Sequence, residues 1–472
     1  MKIKSNFLFP LAISASLWAC QTAKIKNDTA LSLPESFRTD QVVHVDSSIG
    51  NIPWRDFFQD PILQELIDTA IRQNVDMQLA LKNIESARLL FKQSKAARLP
   101  SLQLQMQANS TNPSNNSLNG LSLGEFLGQN HIEDYTLGFG LSWEADIWGK
   151  LKSQKAATLA SYLQTEEARK AIQTELVSQI AKGYYQLLML YQLHDIAQQN
   201  LLLSDSTLQA VQHQYEVGDM NLLALEQVAA QRLSAASLIP DFERQILLQE
   251  NALRLLSGEF PKEINTSATL TNINLPTTLD VGIPAALLSK RPDIKRAELS
   301  VTASQAYQHV AKAQMYPSLA ITAQAGVNAF KASNWFNIPA SLFGAVAGSI
   351  TQPIFQREEL KTQYELARVE YERSVIEFRQ SVVSAVGEVS DALIAIQKLK
   401  VREEIVQDKT DRLKVAVQHA DLLFETGTAS YLEVITAQSN ALQSELELVQ
   451  IRKAELVAVV DLYRSLGGGW SN

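Results

Sequence analysis

Residues 135–150 read YTLGFGLSWEADIWGK, and this stretch decides the fold. In its first nine residues apolar side chains alternate with Thr, Gly and Ser, a period of two that indicates a strand with one apolar and one uncharged polar face. The strand ends before Gly149, and from Lys150 to Tyr215 the chain contains no proline and only one glycine. The sequence therefore predicts a strand that leads into one helix of roughly 65 residues, on the order of 100 Å long.

The same alternation returns at residues 102–109 and 319–328, and more weakly at 341–350. The polar faces carry Gln, Asn, Ser, Thr and Gly but almost no charge, as expected of a transmembrane strand beside a wet lumen. The linker 109–130 is rich in Asn, Ser and Gly, as an extracellular loop would be. These features favour membrane strands over the alternative, a soluble antiparallel sheet with one buried face.

The chain is an internal repeat. Offsets of 217 and then 209 residues superpose identical residues: Asp76 on Asp293, Pro100-Ser101-Leu102 on Pro317-Ser318-Leu319, and Leu151-Lys152 on Leu360-Lys361. Two halves with one hairpin each give four strands per chain, too few to close a transmembrane barrel. Two chains would leave no room for a channel, whereas three chains give twelve strands. The sequence therefore predicts a homotrimer with a shared barrel.

Each half is predicted to contain a helix, a hairpin, a long helix, a tight turn and a returning helix. Repeat 1 spans 61–258, with a hairpin at 101–143, a long helix at 150–215 and a tip at 216–220. Repeat 2 spans 284–466, with a hairpin at 318–350, a long helix at 359–426 and a tip at 427–430. Single helices at 61–98 and 284–315 lead into the hairpins, and the first returning helix is expected to break at Pro240. Residues 259–283 link the repeats, and 467–472 form a tail.

The first 19 residues have the pattern of a secretory signal: a basic start, a short apolar run and a small residue before Cys20. The sequence Leu17-Trp18-Ala19-Cys20 resembles a bacterial lipobox, and Cys20 is the only cysteine of the chain. We expect Cys20 to be acylated and 20–60 to be a lipid-anchored segment. Gln21, rather than Asp, favours the outer membrane by this resemblance. The alternative is an ordinary signal peptide that ends near a cysteine.

Composition and missing motifs exclude several classes of function. The net charge is −8, and loss of Lys2 and Lys4 with the signal makes it −10, without a basic stripe that would bind nucleic acid. No Walker-type phosphate loop or His-Glu-x-x-His motif occurs, and the six histidines are scattered. The sequence therefore predicts no catalytic, cofactor or metal site and no enzyme, and any energy for transport must come from a partner.

Five motifs carry a specific resemblance: WRDFF at 54–58, LSWEADIWGK at 141–150, RPDI at 291–294, QPIF at 352–355 and LYRSLGGGW at 462–470. Together they resemble the outer-membrane efflux protein family of TolC and OprM type, and within it the lipoprotein branch that serves resistance-nodulation-division pumps. Gln356-Arg357 depart from the small residues of many members.

The resemblance implies a mixed α and β membrane protein. Its trimeric 12-stranded outer-membrane β-barrel would continue into a long periplasmic α-helical barrel. It also implies the function, the exit duct of a tripartite efflux system in a Gram-negative bacterium, which conducts small molecules such as drugs passively. The partners would be a periplasmic membrane-fusion adaptor, an inner-membrane pump and outer-membrane lipid. A type I secretion duct for proteins and a structural coiled-coil lipoprotein remain as alternatives.

The resemblance also points to site residues. It places the turns at Gly218 and Gly427 at the periplasmic end, where an adaptor docks; both glycines are alternatively turn formers only. Beyond the second turn, Glu433 would supply three carboxylates on the threefold axis and form a charged aperture, unless it simply faces solvent. Its counterpart in repeat 1 is Ala224. Tyr215 and Phe424 superpose as an aromatic pair that could close the tips or serve as core.

Overall fold

The computed structural model describes residues 34, 36–37, 48–273 and 280–471. The predicted signal 1–19 and Cys20 lie outside the described residues. The elements below belong to one compact unit that spans Glu35–Asn472.

The first helix, α1 (Trp54–Phe57), precedes repeat 1, which begins with α2 (Pro61–Gln73) and α3 (Val75–Ala96). The expectation of a single helix at 61–98 is wrong, because Asn74 interrupts it. The Asn74 side chain accepts the Met77 N–H at 3.1 Å and donates to the Leu256 carbonyl at 2.9 Å. It therefore caps α3 and ties the break to the end of the returning helix.

The strands are β1 (Ser101–Thr111), β2 (Ile132–Ala145), β3 (Ser318–Ala329) and β4 (Leu342–Thr351), in the order β1-β2-β3-β4 with antiparallel pairing throughout. The register carries one apolar row across all four strands: Met106, Leu137, Val327 and Leu342. A row on the other face is Gln103, Gly140, Gln324 and Ala345. The structure therefore confirms the four strands per chain that the alternation predicts. The edge strands β1 and β4 each have a single neighbour within the chain.

The segment between β1 and β2 differs from expectation. Its composition is that of an extracellular loop, but it contains a helix, α4 (Leu118–Leu127). Ser117 accepts the Gly120 N–H at 3.2 Å, and Gly128 ends the helix with a φ of +61°. These caps define a short helix at the end of the sheet that is remote from the long helices.

The remaining helices of repeat 1 are α5 (Lys150–Glu216) and α6 (Leu222–Leu256). Repeat 2 has α7 (Leu287–Lys290), α8 (Pro292–Ala313), α9 (Glu359–Glu425) and α10 (Tyr431–Ser465). The expected break at Pro240 is wrong, because α6 is helical through the proline. The expected single helix at 284–315 is also wrong, because Arg291 adopts an extended conformation between α7 and α8.

Repeat symmetry is expressed in element length. Helices α5 and α9 each have 67 residues, α6 and α10 each have 35, and α3 and α8 each have 22. The two halves therefore share a length pattern although few of their residues are identical. In the parts of the chain that the structure describes, no helix combines the length and the apolar composition needed to cross a membrane.

The largest buried side chains come from α1, α5 and the end of α10. Trp54, Tyr184 and Tyr463 are almost fully buried. The Phe57 ring stacks on the Tyr463 ring with centroids 4.0 Å apart, and the Tyr463 hydroxyl donates to the Ile52 carbonyl at 2.7 Å. Two motifs of the family resemblance, at 54–58 and 462–470, therefore form one packing unit.

Candidate functional site: the two helix–turn–helix tips

From here on, the first tip means residues 215–225 and the second tip means residues 424–436, which include the predicted turns at 216–220 and 427–430 together with the flanking helix ends. In the first tip Gly218 has a φ of +89°. The Gly218 N–H donates to the Tyr215 carbonyl at 3.0 Å, and the Asp219 N–H donates to the Gln214 carbonyl at 2.8 Å. A residue in the left-handed region with these bonds ends a helix, and glycine adopts that conformation without strain.

The second tip repeats this geometry. Gly427 has a φ of +71°, its N–H donates to the Phe424 carbonyl at 3.0 Å, and the Thr428 N–H donates to the Leu423 carbonyl at 2.9 Å. A Cβ added at Gly218 or Gly427 would meet no atom within 4 Å. The left-handed backbone conformation therefore favours glycine at both positions. In the single chain, no neighbouring atom occupies the space where a side chain would begin.

The returning helices start differently in the two tips. In the first tip the Asn221 side chain accepts the Ala224 N–H at 2.9 Å. In the second tip the Glu433 carboxylate accepts the Ser430 N–H at 2.6 Å. The structure thus gives Glu433 a capping role that sequence reasoning missed, although the Ser-x-x-Glu spacing at 430–433 is a recognised signal for it.

An apolar cluster joins the tips. Its buried members come from both repeats: Val211, Ala224, Val228, Phe424 and Val434. Phe424 is 6% exposed, whereas its repeat counterpart Tyr215 is 39% exposed. The structure therefore places Phe424 in the core between the tips and Tyr215 at the surface, so the two aromatic residues have unlike surroundings.

Polar contacts reinforce the same joint. The Tyr431 hydroxyl donates to Gln227 Oε1 at 2.6 Å, and the buried Gln438 amide donates to Thr207 Oγ1 at 2.9 Å. Burial and the neighbouring charge of Glu425 raise the pKa of Asp421, while a hydrogen bond from Gln438 opposes that rise. The tips are thus fixed to one another by both apolar and hydrogen-bonded contacts.

The tip end of the molecule is acidic. Residues 183–231 contain five Asp or Glu and no Lys or Arg, and residues 415–451 have the same composition. Ion pairs hold three of these carboxylates away from the tips, since Asp205 pairs with Arg232, Glu445 pairs with Lys414, and Glu447 pairs with Arg402 and Lys409. The acids nearest the turns are Glu216, Asp219, Glu226, Glu425 and Glu433. An end without cations attracts positively charged groups.

Arg291, from the RPDI motif, organises a second polar centre near the chain's C-terminal end. Its guanidinium is 6% exposed and donates to Asp293, to Glu388 at 2.8 Å and to the Ser465 carbonyl at 3.0 Å. The pKa of Asp293 would rise through burial, but the bonds and charge of Arg291 hold it below its usual value. Within the described ranges no group of three or more His, Cys, Asp or Glu is placed to hold a metal ion.

The family model described as "Outer membrane efflux protein" matches residues 66–259 and 283–468. The chain belongs to this family. The two matched segments correspond to the two repeats, so the resemblance read from the motifs is confirmed.

Curated relatives and solved structures agree. The chain is 29% identical over 469 residues to "Cation efflux system protein CusC" of Escherichia coli (strain K12), covering 98% of this chain and 99% of that protein. It is 29% identical over 423 residues to "Solvent efflux pump outer membrane protein SrpC" of Pseudomonas putida, covering 88% and 87%. A crystal structure of CusC matches with a TM-score of 0.81 at 28% identity, covering 93% of this chain and 98% of that chain.

Fold similarity extends to more distant channels. The open state of the Neisseria gonorrhoeae MtrE outer membrane channel matches with a TM-score of 0.83 at 24% identity, covering 94% of this chain and 97% of that chain. The expected fold class, the efflux function and the location in the outer membrane are therefore confirmed. The chain is a subunit of an outer-membrane efflux channel.

Proposed function

We propose that three copies of this chain form one passive duct of twelve strands that accepts cargo from a periplasmic membrane-fusion adaptor and an inner-membrane pump of the resistance-nodulation-division type. The observation that carries the proposal is the open sheet, in which β1 and β4 each pair with one strand only. In a membrane such edges must find partners. The duct performs no catalysis, and the pump supplies the energy.

Mass photometry of the detergent-extracted protein tests the assembly. The expected particle has three times the mass of the chain, with the strand content by circular dichroism unchanged on dilution. A monomer that keeps its full strand content would contradict the proposal.

The tips are the proposed docking end for the adaptor. They expose apolar side chains beside the turns, including Val217 at 60%, Leu223 at 62% and Leu432 at 54%. Exposed apolar groups surrounded by carboxylates fit a partner surface that combines apolar and basic residues. The proposed adaptor contact is therefore made by a mixed surface, and Gly218 and Gly427 contribute their open space to it.

Substitution at Gly218 or Gly427 tests docking. Gly218→Trp introduces backbone strain and bulk, whereas Gly218→Ala introduces similar strain with little bulk and is the matched control. We expect the Trp variant to lose efflux while it keeps trimer mass and export, and the Ala variant to retain most efflux. Normal drug resistance in both Gly218→Trp and Gly427→Trp would refute the docking role.

Glu433 is proposed to act at the aperture, a role that its capping bond does not exclude, since the side chain is exposed. Three copies on a common axis would form a ring of carboxylates that concentrates cations. The acidity of the whole tip end supports this cation preference, and one relative is named for cation efflux.

Glu433→Gln separates the charge from the cap, because a glutamine carbonyl can still accept the Ser430 N–H. In planar bilayers we expect lower cation selectivity and weaker block by multivalent cations. Unchanged reversal potentials in Glu433→Gln would assign Glu433 to capping alone.

Acylation of Cys20 is proposed to reinforce the membrane attachment that the strands provide. One lipid chain anchors a protein only weakly, whereas two or more suffice for stable attachment. Mass spectrometry of the mature N-terminus should show an acylated Cys20, and Cys20→Ala should remove the lipid while strands still insert. An unmodified Cys20 in the wild-type protein contradicts this proposal.

A further inference from the structure

Two apolar surfaces at the outer end of the sheet are uncovered in the single chain. One is α4, which exposes Leu118 at 81%, Leu121 at 55% and Phe126 at 84%. The other is the β3–β4 hairpin loop 330–341, which exposes Phe330 at 53%, Phe336 at 62% and Ile338 at 62%. Exposed large apolar groups at this density mark a surface that contacts a partner.

Both surfaces are held in place by their own chain. In the loop, Trp335 is buried against Tyr135 with ring centroids 5.4 Å apart, and the Ser341 hydroxyl donates to the Asn334 carbonyl at 2.6 Å. In α4, Gly120 is so close to the Ser114 carbonyl that an added Cβ would lie 2.1 Å from its oxygen. Contacts within the same chain therefore fix the backbone that carries these exposed apolar side chains.

The strand order identifies what covers them. The helix α4 follows the outer end of β1, and the loop 330–341 precedes the outer end of β4. Because β1 and β4 are the two edges of the sheet, closing the barrel places β1 of one copy beside β4 of the next. The helix of one copy and the loop of its neighbour then lie at the same end of adjacent strands.

Charge complementarity agrees with this pairing. Glu125 is the only Asp, Glu, Lys or Arg in residues 112–131, and Lys331 is the only one in residues 330–341. Both side chains are exposed, and no ion pair joins either of them to another described residue. Opposite single charges on two apolar surfaces favour one register of contact over others.

We propose that α4 of each copy packs against the hairpin loop 330–341 of the adjacent copy, with Glu125 facing Lys331, and that these joints lock the subunits together at the outer mouth. The inference rests on the trimer of the proposed function. It adds a contact outside the hydrogen-bonded strands, with a second copy of this chain as the partner.

Photocrosslinking in outer membranes tests the contact in the full-length protein. A benzoylphenylalanine placed at Phe126 should give crosslinked dimers and trimers, with the attached peptide mapping to 330–342. The same probe at Phe260, which is 91% exposed but far from the sheet in sequence, is the control and should yield no such peptide. Crosslinks at position 126 only to lipopolysaccharide, or only within one chain, would overturn the proposal.

Charge exchange provides a second measurement. Glu125→Lys should lower the temperature at which the trimer dissociates on semi-native gels, and adding Lys331→Glu should restore it. If the double variant does not regain the dissociation temperature and no intersubunit crosslinks form, the proposed contact is wrong. A stable trimer in that experiment would still agree with the proposed function. Absence of any trimer in the wild-type protein would overturn both.

Discussion

The Arg291 guanidinium binds both carboxylate oxygens of Asp293, through Nε at 3.0 Å and Nη2 at 2.6 Å. The same side chain reaches Glu388 on α9 and the carbonyl of Ser465 at the end of α10. One buried cation therefore joins the start of α8 to two other helices of repeat 2.

Arg291→Met should destabilise this joint. Loss of one partner of a buried ion pair costs about 3–5 kcal/mol of folding free energy. We expect about 2 kcal/mol here, because the Asp293 and Glu388 side chains are 38% and 37% exposed and water can solvate them once the arginine is gone. Thermal unfolding in detergent measures the effect. Arg412→Met, which removes an exposed pair with Asp408, is the control and should change stability by less than about 0.5 kcal/mol. Equal effects of the two variants would contradict the role of Arg291.

Two glycines should respond to alanine in opposite directions. A Cβ at Gly468 would lie 2.4 Å from the Tyr463 ring, which cannot move because it stacks on Phe57 and donates to Ile52. We expect Gly468→Ala to cost about 1–3 kcal/mol through overpacking. Gly387 lies within α9 with no atom within 4 Å of an added Cβ, so Gly387→Ala should stabilise by up to about 1 kcal/mol. If Gly468→Ala and Gly387→Ala shift the melting temperature in the same direction, this explanation is wrong.

The two aromatic residues of the tips should also differ. Phe424→Ala removes a buried ring from the cluster between the tips and should cost about 3–5 kcal/mol locally. Tyr215→Ala removes a ring that is 39% exposed and should have a small effect. Hydrogen exchange of amides 208–228 and 420–436 provides the measurement. Faster exchange in Tyr215→Ala than in Phe424→Ala would show that the cluster is not what joins the tips.

The contact between α9 and α10 near Glu455 should depend on pH. Burial first, and then the hydrogen bond and charge of Glu403, raise the pKa of Glu455 to about 7, against the opposing charges of Lys400 and Arg452. Because this folded pKa lies above the ordinary value of 4.5, the stabilisation is complete at pH values below the ordinary one and is lost as the pH rises through about 7.

Glu455→Gln tests that dependence. Amides of α9 and α10 near Glu455 should exchange faster at pH 8 than at pH 5.5 in the wild-type protein, after correction for intrinsic rates, and the variant should remove most of this difference. A variant with the same pH response as the wild type would assign the effect to another group.

The sequence predicted the long helices and turns well, because their signals are local. Proline is missing from α5 and α9, and Gly218 and Gly427 end them by a requirement of backbone conformation. Breaks at Asn74 and Arg291 were not predicted, because the partners that stabilise them, the Leu256 carbonyl and Glu388, are distant in sequence.

Other differences also arise from tertiary contacts. Helix α4 has flanks rich in Asn and Ser that are typical of a loop, and its caps became visible only in the structure. Tyr215 and Phe424 superpose in the repeat, yet only Phe424 lies where both tips converge. Repeat symmetry of the sequence therefore predicts backbone equivalence but not equivalent side-chain surroundings.

The open edges of the four-stranded sheet constrain how the channel is made in the cell. A lone chain that entered the bilayer would leave the outward backbone groups of β1 and β4 without partners in hydrocarbon, at several kcal/mol for each group. Insertion and subunit association are therefore one event in biogenesis. When synthesis of the chain is reduced, the yield of assembled trimers should fall more steeply than the rate of synthesis. Unassembled chains in the periplasm need the edges of β1 and β4 covered until two further chains are present.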